Sequence, residues 1–295
     1  MAMMRGRASK VGWCLLLLVV AGPARAVPRV GLEQAFALYE ACNYSAARAA
    51  FASLARDAAG DPDIEFHLGR LALWFDDCDE ALSRLEKLAA RTPGDARVFN
   101  ALGDAYGLAA QKAPLLAKLG WARKCRTAYE RAVELAPRNP AHRWSLLGFY
   151  LIAPRIAGGS RDSAYAQAAE IEKLDPANGR IAFATIHLAE RNYDAAFALF
   201  ESVLRINPDD FLANYHVGRC AAVSGERLDA GLSALRRCLK LTPPGGDGYP
   251  TQANVRSRMG DILAKQGRAA EAADSYAAAK LLNPDFNAAK TALRQ

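Results

Sequence analysis

Small and large apolar residues recur along this chain at one fixed spacing. In each copy, a small residue is followed four positions later by a second, usually larger, apolar residue, and proline comes eight positions after that. The six copies are Ala81, Leu85 and Pro93; Cys125, Tyr129 and Pro137; Ala164, Ala168 and Pro176; Ala196, Phe200 and Pro208; Gly231, Leu235 and Pro243; Ala272, Tyr276 and Pro284. Residues four apart share one face of a helix, and proline cannot continue a helix. Each copy therefore predicts a helix with a packed face that ends before its proline.

A second pattern precedes most of these copies. An apolar residue stands directly before glycine in Leu68-Gly69, Leu102-Gly103, Leu147-Gly148, Val217-Gly218 and Met259-Gly260, and Phe183-Ala184 takes the same place in the fifth copy. Glycine within a helix costs roughly 1 kcal/mol relative to alanine, so its recurrence indicates that another helix packs closely there. An earlier pair, Ala47 and Phe51, adds a first copy whose proline is displaced to Pro62. The sequence thus predicts seven pairs of helices.

The last copy, residues 259–284, resembles the tetratricopeptide (TPR) repeat, a pair of antiparallel helices. The resemblance rests on Met259-Gly260, Leu263, Ala272, Tyr276, Ala279 and Pro284. It extends over residues 28–295 and implies an all-α fold, a right-handed α-solenoid of about seven repeats. The implied repeats are 28–61, 62–95, 96–139, 140–177, 178–210, 211–250 and 251–284, with a capping helix at 285–295. We expect the glycine and the small residue to meet where paired helices cross, and Tyr276 to fill space toward the next repeat.

Three copies depart from the regular length. About ten extra residues lie around 109–119 and about four around 153–160, and both insertions are predicted to form turns between paired helices at one edge of the array. Such an edge is often a binding surface, but it also tolerates loop growth, and both interpretations stay open. Prolines and glycines in 242–250 predict a loop that can act as a hinge. Residues 112–137, with the second insertion, are also similar to a group of exported bacterial TPR proteins, which implies no specific activity.

The N-terminal segment, residues 1–26, is typical of a secretory signal peptide. Basic residues precede a ten-residue apolar run at 11–20, and Ala24 and Ala26 form a small-x-small cleavage site. The run is too short to span a membrane, and an uncleaved anchor is the alternative. Cleavage after Ala26 lowers the formal charge from +7 to +3, with 34 basic and 31 acidic residues in the remainder. That balance gives no argument for nucleic acid or for an anionic membrane surface. We expect export, most simply to a bacterial periplasm.

The residues that could carry chemistry do not form a catalytic pattern. The four histidines are far apart in sequence and lack metal-ligand spacing, and there is no nucleophile motif or phosphate-binding loop, so we expect no enzyme activity, no metal and no cofactor. Ser160, after two glycines, is interpreted as a helix N-cap, with anion binding at that helix end as the alternative. Cys125 and Cys238 occupy small-residue positions and are predicted to lie in the core. A disulfide between Cys42 and Cys78 is left open.

The resemblance places the partner-binding groove along the first helix of each repeat. The residues it predicts to be exposed there are Phe66, Arg70, Trp74, Asn100, Asp104, Phe149, Tyr215 and Arg219. Aromatic and arginine side chains anchor many interfaces, although about half of this set could pack between repeats instead. Because Phe66 and Tyr215 replace lysines of the family's carboxylate-binding mode, an apolar or mixed peptide groove is implied.

The function expected from these features is a non-enzymatic scaffold or adaptor in the cell envelope that binds a protein or peptide partner. We expect no nucleic-acid partner, no small-molecule substrate and no membrane span once the signal peptide is cleaved. The alternative is an accessory subunit of a cell-wall or glycan-handling enzyme complex, contacting it through the inserted inter-helix segments.

Overall fold

A computed structural model describes residues 29–244 and 249–283 of the chain, and the described part is built from helices and turns, with no strand. The helices are α1 (Arg29–Glu40), α2 (Tyr44–Asp57), α3 (Pro62–Trp74), α4 (Cys78–Arg91), α5 (Ala96–Lys112), α6 (Leu115–Leu135), α7 (Pro140–Ile152), α8 (Arg161–Leu174), α9 (Pro176–Ala189), α10 (Tyr193–Ile206), α11 (Phe211–Ser224), α12 (Leu228–Cys238), α13 (Gln252–Lys265) and α14 (Ala269–Leu282). The predicted all-α solenoid is confirmed. The signal peptide, Pro284, the capping helix and the centre of the 242–250 loop lie outside the described residues.

Local sequence explains where many helices begin. Asp61 accepts hydrogen bonds from the backbone N–H groups of Asp63 and Ile64, and Pro62 is the first residue of α3. Aspartate or asparagine followed by proline starts α7 and α9 in the same way. A side-chain acceptor satisfies free N–H groups at the helix start, and proline has no N–H to lose there. The recurring prolines therefore mark the boundary between one helix pair and the next.

The helices pack in consecutive pairs, and the pairs stack along the array. The first helices of successive pairs also contact one another, in α3 with α5, α7 with α9, α9 with α11, and α11 with α13. Within the described residues, the second helices make no comparable contacts with one another. The first helices therefore form an inner row and the second helices an outer row. This arrangement makes the inner face of the first helices the natural place to look for a groove.

Each recurring glycine packs against the large residue on the second helix of its own helix pair, except in the fourth copy, where that residue is Ala168. A Cβ atom added to Gly69, Gly103 or Gly218 would lie 2.8 Å or less from Leu85, Tyr129 or Leu235, respectively, and one added to Gly260 would lie 2.5 Å from Tyr276. The ring of Tyr276 covers Gly260 and its hydroxyl donates to Asp261 at 2.9 Å. The segment toward which Tyr276 was also expected to reach lies outside the described residues. Close packing at the crossing comes from glycine against a ring or branched side chain.

The two insertions form different structures. The first was predicted to be a turn, but it lengthens the helices, so that α5 has 17 residues, α6 has 21 and only two residues connect them. Trp121 of α6 stacks on Tyr106 of α5 with ring centroids 5.8 Å apart, which fastens the extension to its neighbour. The second insertion is a turn, with a short 3-10 helix at Arg155–Ala157 and Gly158 at a φ of 100°.

Candidate partner-binding surface

All eight residues predicted for the groove lie on first helices, but three of them are buried and the other five are only partly exposed. Phe66, Phe149 and Tyr215 have relative exposures of 8%, 9% and 0%. Each belongs to an apolar cluster that joins neighbouring helix pairs, so their exposure was wrongly predicted. The physical reason is that an aromatic ring on the inner row fills the gap between adjacent first helices. For these three residues, the alternative of packing between repeats is the correct one.

The predicted stripe of Phe66, Arg70 and Trp74 is engaged within the protein. Arg70 forms an ion pair with Asp104 of the next repeat, and Asp104 also accepts a hydrogen bond from the Tyr129 hydroxyl at 2.7 Å. Burial and the Asp104 carboxylate raise the pKa of Tyr129 well above its ordinary value, so this hydroxyl keeps its proton and donates. The indole of Trp74 packs on Tyr44 at 4.4 Å. These contacts tie the first three repeats together and leave the stripe little free surface.

A second polar cluster on the inner row joins α11 to α13. Arg258 is hydrogen-bonded to Tyr215 and donates to Asp261 at 2.9 Å. His216 stacks on Phe200 with ring centroids 5.5 Å apart and nearly parallel planes. Burial, helped by the charges of two nearby arginines, lowers the pKa of His216 to about 3, so this imidazole is neutral at physiological pH.

Arg219 stands apart in this cluster because one of its donors has no acceptor. Its Nη1 atom is inaccessible to solvent and makes no hydrogen bond in the described part of the chain. Burial lowers the pKa of Arg219, which shows that its charge is poorly compensated. A buried donor without an acceptor costs about 1–3 kcal/mol, and more when it is charged. The site is therefore electrostatically incomplete.

Comparison of Arg219 with Arg70 explains why the Arg219 donor lacks an acceptor. Arg70 and Arg219 each follow a repeat glycine, and Asp104 and Asp261 each follow the glycine of the next repeat. In the N-terminal case the arginine reaches the aspartate across the repeats. In the C-terminal case Arg258 already pairs with Asp261, and the Tyr276 hydroxyl takes its other oxygen. The acceptor that Arg219 would use is thus occupied by residues of the last repeat.

Sequence reasoning found Tyr215 and Arg219 but missed His216, Arg258 and Asp261. A signal for Asp261 was present, because a Gly-Asp step followed by a tyrosine in the next helix occurs both at Asp104 and at Asp261. Arg258 gave no such signal, since its effect depends on competition for one carboxylate in three dimensions. Of the remaining predicted residues, Asn100 is half-buried, and its inaccessible side-chain oxygen accepts no hydrogen bond from any residue that the structure describes.

The remaining candidate residues are a serine and four cysteines. Ser160 caps α8 by accepting from the Ser163 N–H at 3.1 Å. Burial raises the pKa of the Cys125 and Cys238 thiols to about 12, so both behave as core residues. Cys42 and Cys78 are half-buried free thiols, with no bridge between them. Among residues 29–244 and 249–283, no group of three histidine, cysteine or acidic side chains is placed to hold a metal ion.

Comparisons with known proteins agree with this architecture. The sequence profile of the family described as "Tetratricopeptide repeat" matches residues 181–246. No curated protein shows significant sequence similarity to the chain. A thermophilic TPR protein from Thermus thermophilus has a similar structure with a TM-score of 0.54 at 22% identity, covering 71% of this chain and 98% of that one.

Two further structures share the fold at lower identity. A tetratricopeptide repeat protein from Parabacteroides merdae has a TM-score of 0.53 at 14% identity, covering 90% of this chain and 97% of its own. A chain of the Cut9–Hcn1 hetero-tetramer of the APC/C has a TM-score of 0.50 at 14% identity, covering 86% of this chain and 46% of that chain. The profile match over residues 181–246, the seven helix pairs of the described residues and these shared folds together support a tetratricopeptide repeat protein.

Proposed function

We propose that this protein is a non-enzymatic scaffold that binds an acidic segment of a partner protein on the inner face of its C-terminal repeats. The TPR fold suggests protein–protein interaction, and TPR proteins generally act as non-enzymatic scaffolds. The observation that carries the finer proposal is the buried Nη1 of Arg219, which has no acceptor, next to a second guanidinium at Arg258.

The chemistry of that site favours a carboxylate. Arg219, Arg258 and Asp261 bring two positive charges and one negative charge to the interface between α11 and α13, so one anionic group balances the cluster. Guanidinium and carboxylate form strong, directional hydrogen bonds, often two at once. An aspartate or glutamate side chain, or a chain terminus, in an extended partner segment would supply the missing acceptor once the Arg219 guanidinium, whose Nη1 is closed to solvent here, turns toward the inner face. The neutral His216 beside it adds no competing charge.

Photo-crosslinking in cells that express the full chain tests whether a partner occupies this face. Val223 lies one helical turn after Arg219 and is 49% exposed, so a photoreactive amino acid there should give a covalent adduct with the partner. The matched control is the same amino acid at Ile206, which is 73% exposed at the end of an outer-row helix. Absence of an adduct at Val223, or the same adducts at both positions, would count against the proposal.

A substitution then separates binding from structure. For a synthetic peptide of the crosslinked segment, Arg219→Leu should weaken binding by about tenfold or more, the equivalent of roughly 1.4 kcal/mol. The melting temperature of the Arg219→Leu protein should stay the same or rise, because a buried, uncompensated charge has been removed. Arg70→Leu is the control, and it should lower the melting temperature by leaving Asp104 without its cation. Unchanged affinity in Arg219→Leu would remove this residue from the site.

We also propose that the protein works in the cell envelope after export. Support comes from the basic residues, short apolar run and Ala24-x-Ala26 site of the N-terminal sequence. N-terminal sequencing of the released protein should begin at Val27, and an intact Met1 would contradict export by cleavage. The alternative of an accessory subunit of a cell-wall or glycan-handling enzyme complex predicts retention on insoluble wall polymer, with no protein adduct at Val223.

A further inference from the structure

Four large aliphatic side chains are exposed on the two inserted segments of the chain. Leu115 and Leu116, at the start of α6, are 80% and 95% exposed, and Ile152 and Ile156, around the 3-10 turn, are 77% and 70% exposed. Elsewhere, exposed large aliphatics occur mostly singly, on separate helices. We call the surface formed by these four residues, Lys118 and Arg155 the insertion edge. Apolar side chains grouped on the surface of a folded protein mark an interaction site.

The shape of this edge is a protrusion. Every residue in the first turn of α6, from Leu115 to Lys118, is exposed, so no face of that turn packs against the protein. The 3-10 turn packs on α6 further along, where Gly158 lies against the side chain of Arg126. Ten residues of helix separate Arg126 from Leu116, which at 1.5 Å per residue places the leucines about 15 Å beyond that contact. Stacking of Trp121 on Tyr106 holds the extension in place.

The charged residues within the first inserted stretch are all basic. Residues 105–129 contain five lysines and arginines and no aspartate or glutamate. Two of the five are compensated, because Lys112 pairs with Asp76 at 3.2 Å and Arg126 pairs with Glu130 at 3.6 Å. In the described part of the chain Lys118, with Arg123 and Arg155, forms no ion pair, so these charges are available. The chain as a whole is close to neutral after the predicted cleavage, and this basic character is therefore local.

Acidic groups stand on the neighbouring connection between α3 and α4. They are Asp76, Asp77 and Asp79. Asp76 is held by Lys112, and Asp77 lies 3.6 Å from the Arg48 guanidinium. These pairings reduce the repulsion that the three carboxylates would exert on an anionic partner. The three carboxylates line one surface depression with Pro114 and Ala117, so the acidic side of the edge faces the α3–α4 connection. Lys118 and Arg155 belong to the two insertions and carry the uncompensated positive charge.

The residue types favour a lipid surface over a protein partner. Protein interfaces are built around tryptophan, tyrosine and arginine in fitted pockets, and lysine and leucine are under-represented among their strongest contributors. An interfacial membrane contact instead uses leucine or isoleucine inserted among headgroups, with lysine and arginine above the phosphates. A protruding helical turn that is exposed on all sides suits insertion. No helix in the described residues has the length and apolarity to cross a bilayer, so the contact is peripheral.

We propose that the insertion edge docks the protein on an anionic membrane surface. Leu115 and Leu116 insert into the headgroup region, and Lys118 and Arg155 lie against lipid phosphates. The inner face of the repeats stays free in this arrangement, because the edge is formed by the connections within helix pairs. Docking would thus hold the scaffold at a membrane while its groove faces a partner.

Vesicle sedimentation tests the proposal with defined lipids. Wild type and the variants are each expressed as the full chain. They are compared as purified proteins that all begin at the same N-terminal residue. Wild type should bind vesicles of phosphatidylcholine mixed with phosphatidylglycerol, bind pure phosphatidylcholine far less, and be released by added salt. Leu115→Ser combined with Leu116→Ser should weaken binding by about tenfold or more, since burial of each leucine contributes to the affinity. Lys118→Glu should weaken binding only to the anionic vesicles.

The matched control is Ile206→Ser, which removes an equally exposed aliphatic residue on the outer row. It should bind vesicles as wild type does, and all variants should melt near the wild-type temperature because the changed residues are exposed. Failure of wild type to bind anionic vesicles would overturn the proposal. So would a loss of vesicle binding in Ile206→Ser as large as the loss in the double leucine variant. Self-association of wild type that the double substitution abolishes, without vesicle binding, would assign the edge to a second copy and also overturn it.

Discussion

Tyr129 occupies the space that a side chain at Gly103 would need. A Cβ atom added to Gly103 would lie 2.4 Å from Cε1 of the Tyr129 ring, closer than real Cβ contacts. Tyr129 cannot move away at low cost, because its hydroxyl is bonded to Asp104 and its ring is buried. Gly103→Ala should therefore destabilise the fold by about 1–3 kcal/mol in denaturant unfolding, despite the better helix propensity of alanine.

Gly148 provides the matched control for that substitution. It holds the equivalent position in α7, but an added Cβ would meet no atom within 4 Å, because the large residue of that copy is replaced by Ala168. Gly148→Ala should leave the free energy of unfolding unchanged or raise it by up to about 1 kcal/mol. If both substitutions change stability in the same direction and by the same amount, the paired-glycine explanation fails.

Phe200 tests the core of the C-terminal repeats. Its side chain is fully buried and stacks on His216. Phe200→Ala should lower the free energy of unfolding by roughly 3–5 kcal/mol because it leaves a cavity between helices. Ala272→Leu should cost about 1–3 kcal/mol, since Ala272 is 3% exposed at a packed position. Leu281→Ala, at a position 84% exposed, is the control that should stay within about 0.5 kcal/mol of wild type.

Phe66 distinguishes a groove residue from a packing residue. If Phe66 lined the groove as the sequence predicted, its loss would lower partner affinity and leave stability intact. The structure predicts the reverse for Phe66, whose ring is 8% exposed and lies beneath the Arg97 guanidinium at 5.3 Å. Phe66→Ala should lower the free energy of unfolding by about 3–5 kcal/mol. A variant as stable as wild type, measured by denaturant unfolding, would restore Phe66 to the groove.

The sequence predicted the helix pairs because their determinants are local. The glycine and the small residue determine how closely the two helices of one repeat pack, as the pairing of Gly260 with Tyr276 shows. The proline determines where a helix ends. Exposure along the inner row could not be predicted in the same way. Tyr215 lies about one turn and Arg70 about two turns into a first helix, yet one is buried and the other pairs across repeats. Their surroundings depend on how closely adjacent first helices approach, which no single repeat encodes.

The lengthened α6 shows another limit of the same kind. Spacing located the ten extra residues, but it could not say whether they form a loop or helix. Alanine, leucine and lysine in 115–124 have high helix propensity, and Pro114 is well placed immediately before the first turn. Weighing propensity over that window would have favoured the helix observed.

His216 gives a pH-dependent prediction. The pKa of its imidazole is lowered to about 3 in the folded protein, against 6.5 for an unperturbed histidine, chiefly by burial and further by Arg219 and Arg258. Below pH 6.5 the imidazole of His216 is protonated in the unfolded chain but stays neutral in the folded protein. This residue therefore lowers stability as the pH falls from 6.5 toward 3. Between pH 7 and pH 5 the loss should amount to about 2 kcal/mol.

His216→Phe removes this titration while keeping an aromatic ring stacked on Phe200. Because Nδ1 of His216 has no hydrogen-bond partner in the described residues, the substitution gives up no bond there. The variant should lose about 2 kcal/mol less than wild type between pH 7 and pH 5 in denaturant unfolding. Other titrating groups, including His142 with its lowered pKa, are common to both proteins and cancel in the difference. Parallel stability curves for the two proteins would show that His216 becomes protonated in the folded state, with solvent reaching the interface between α11 and α13.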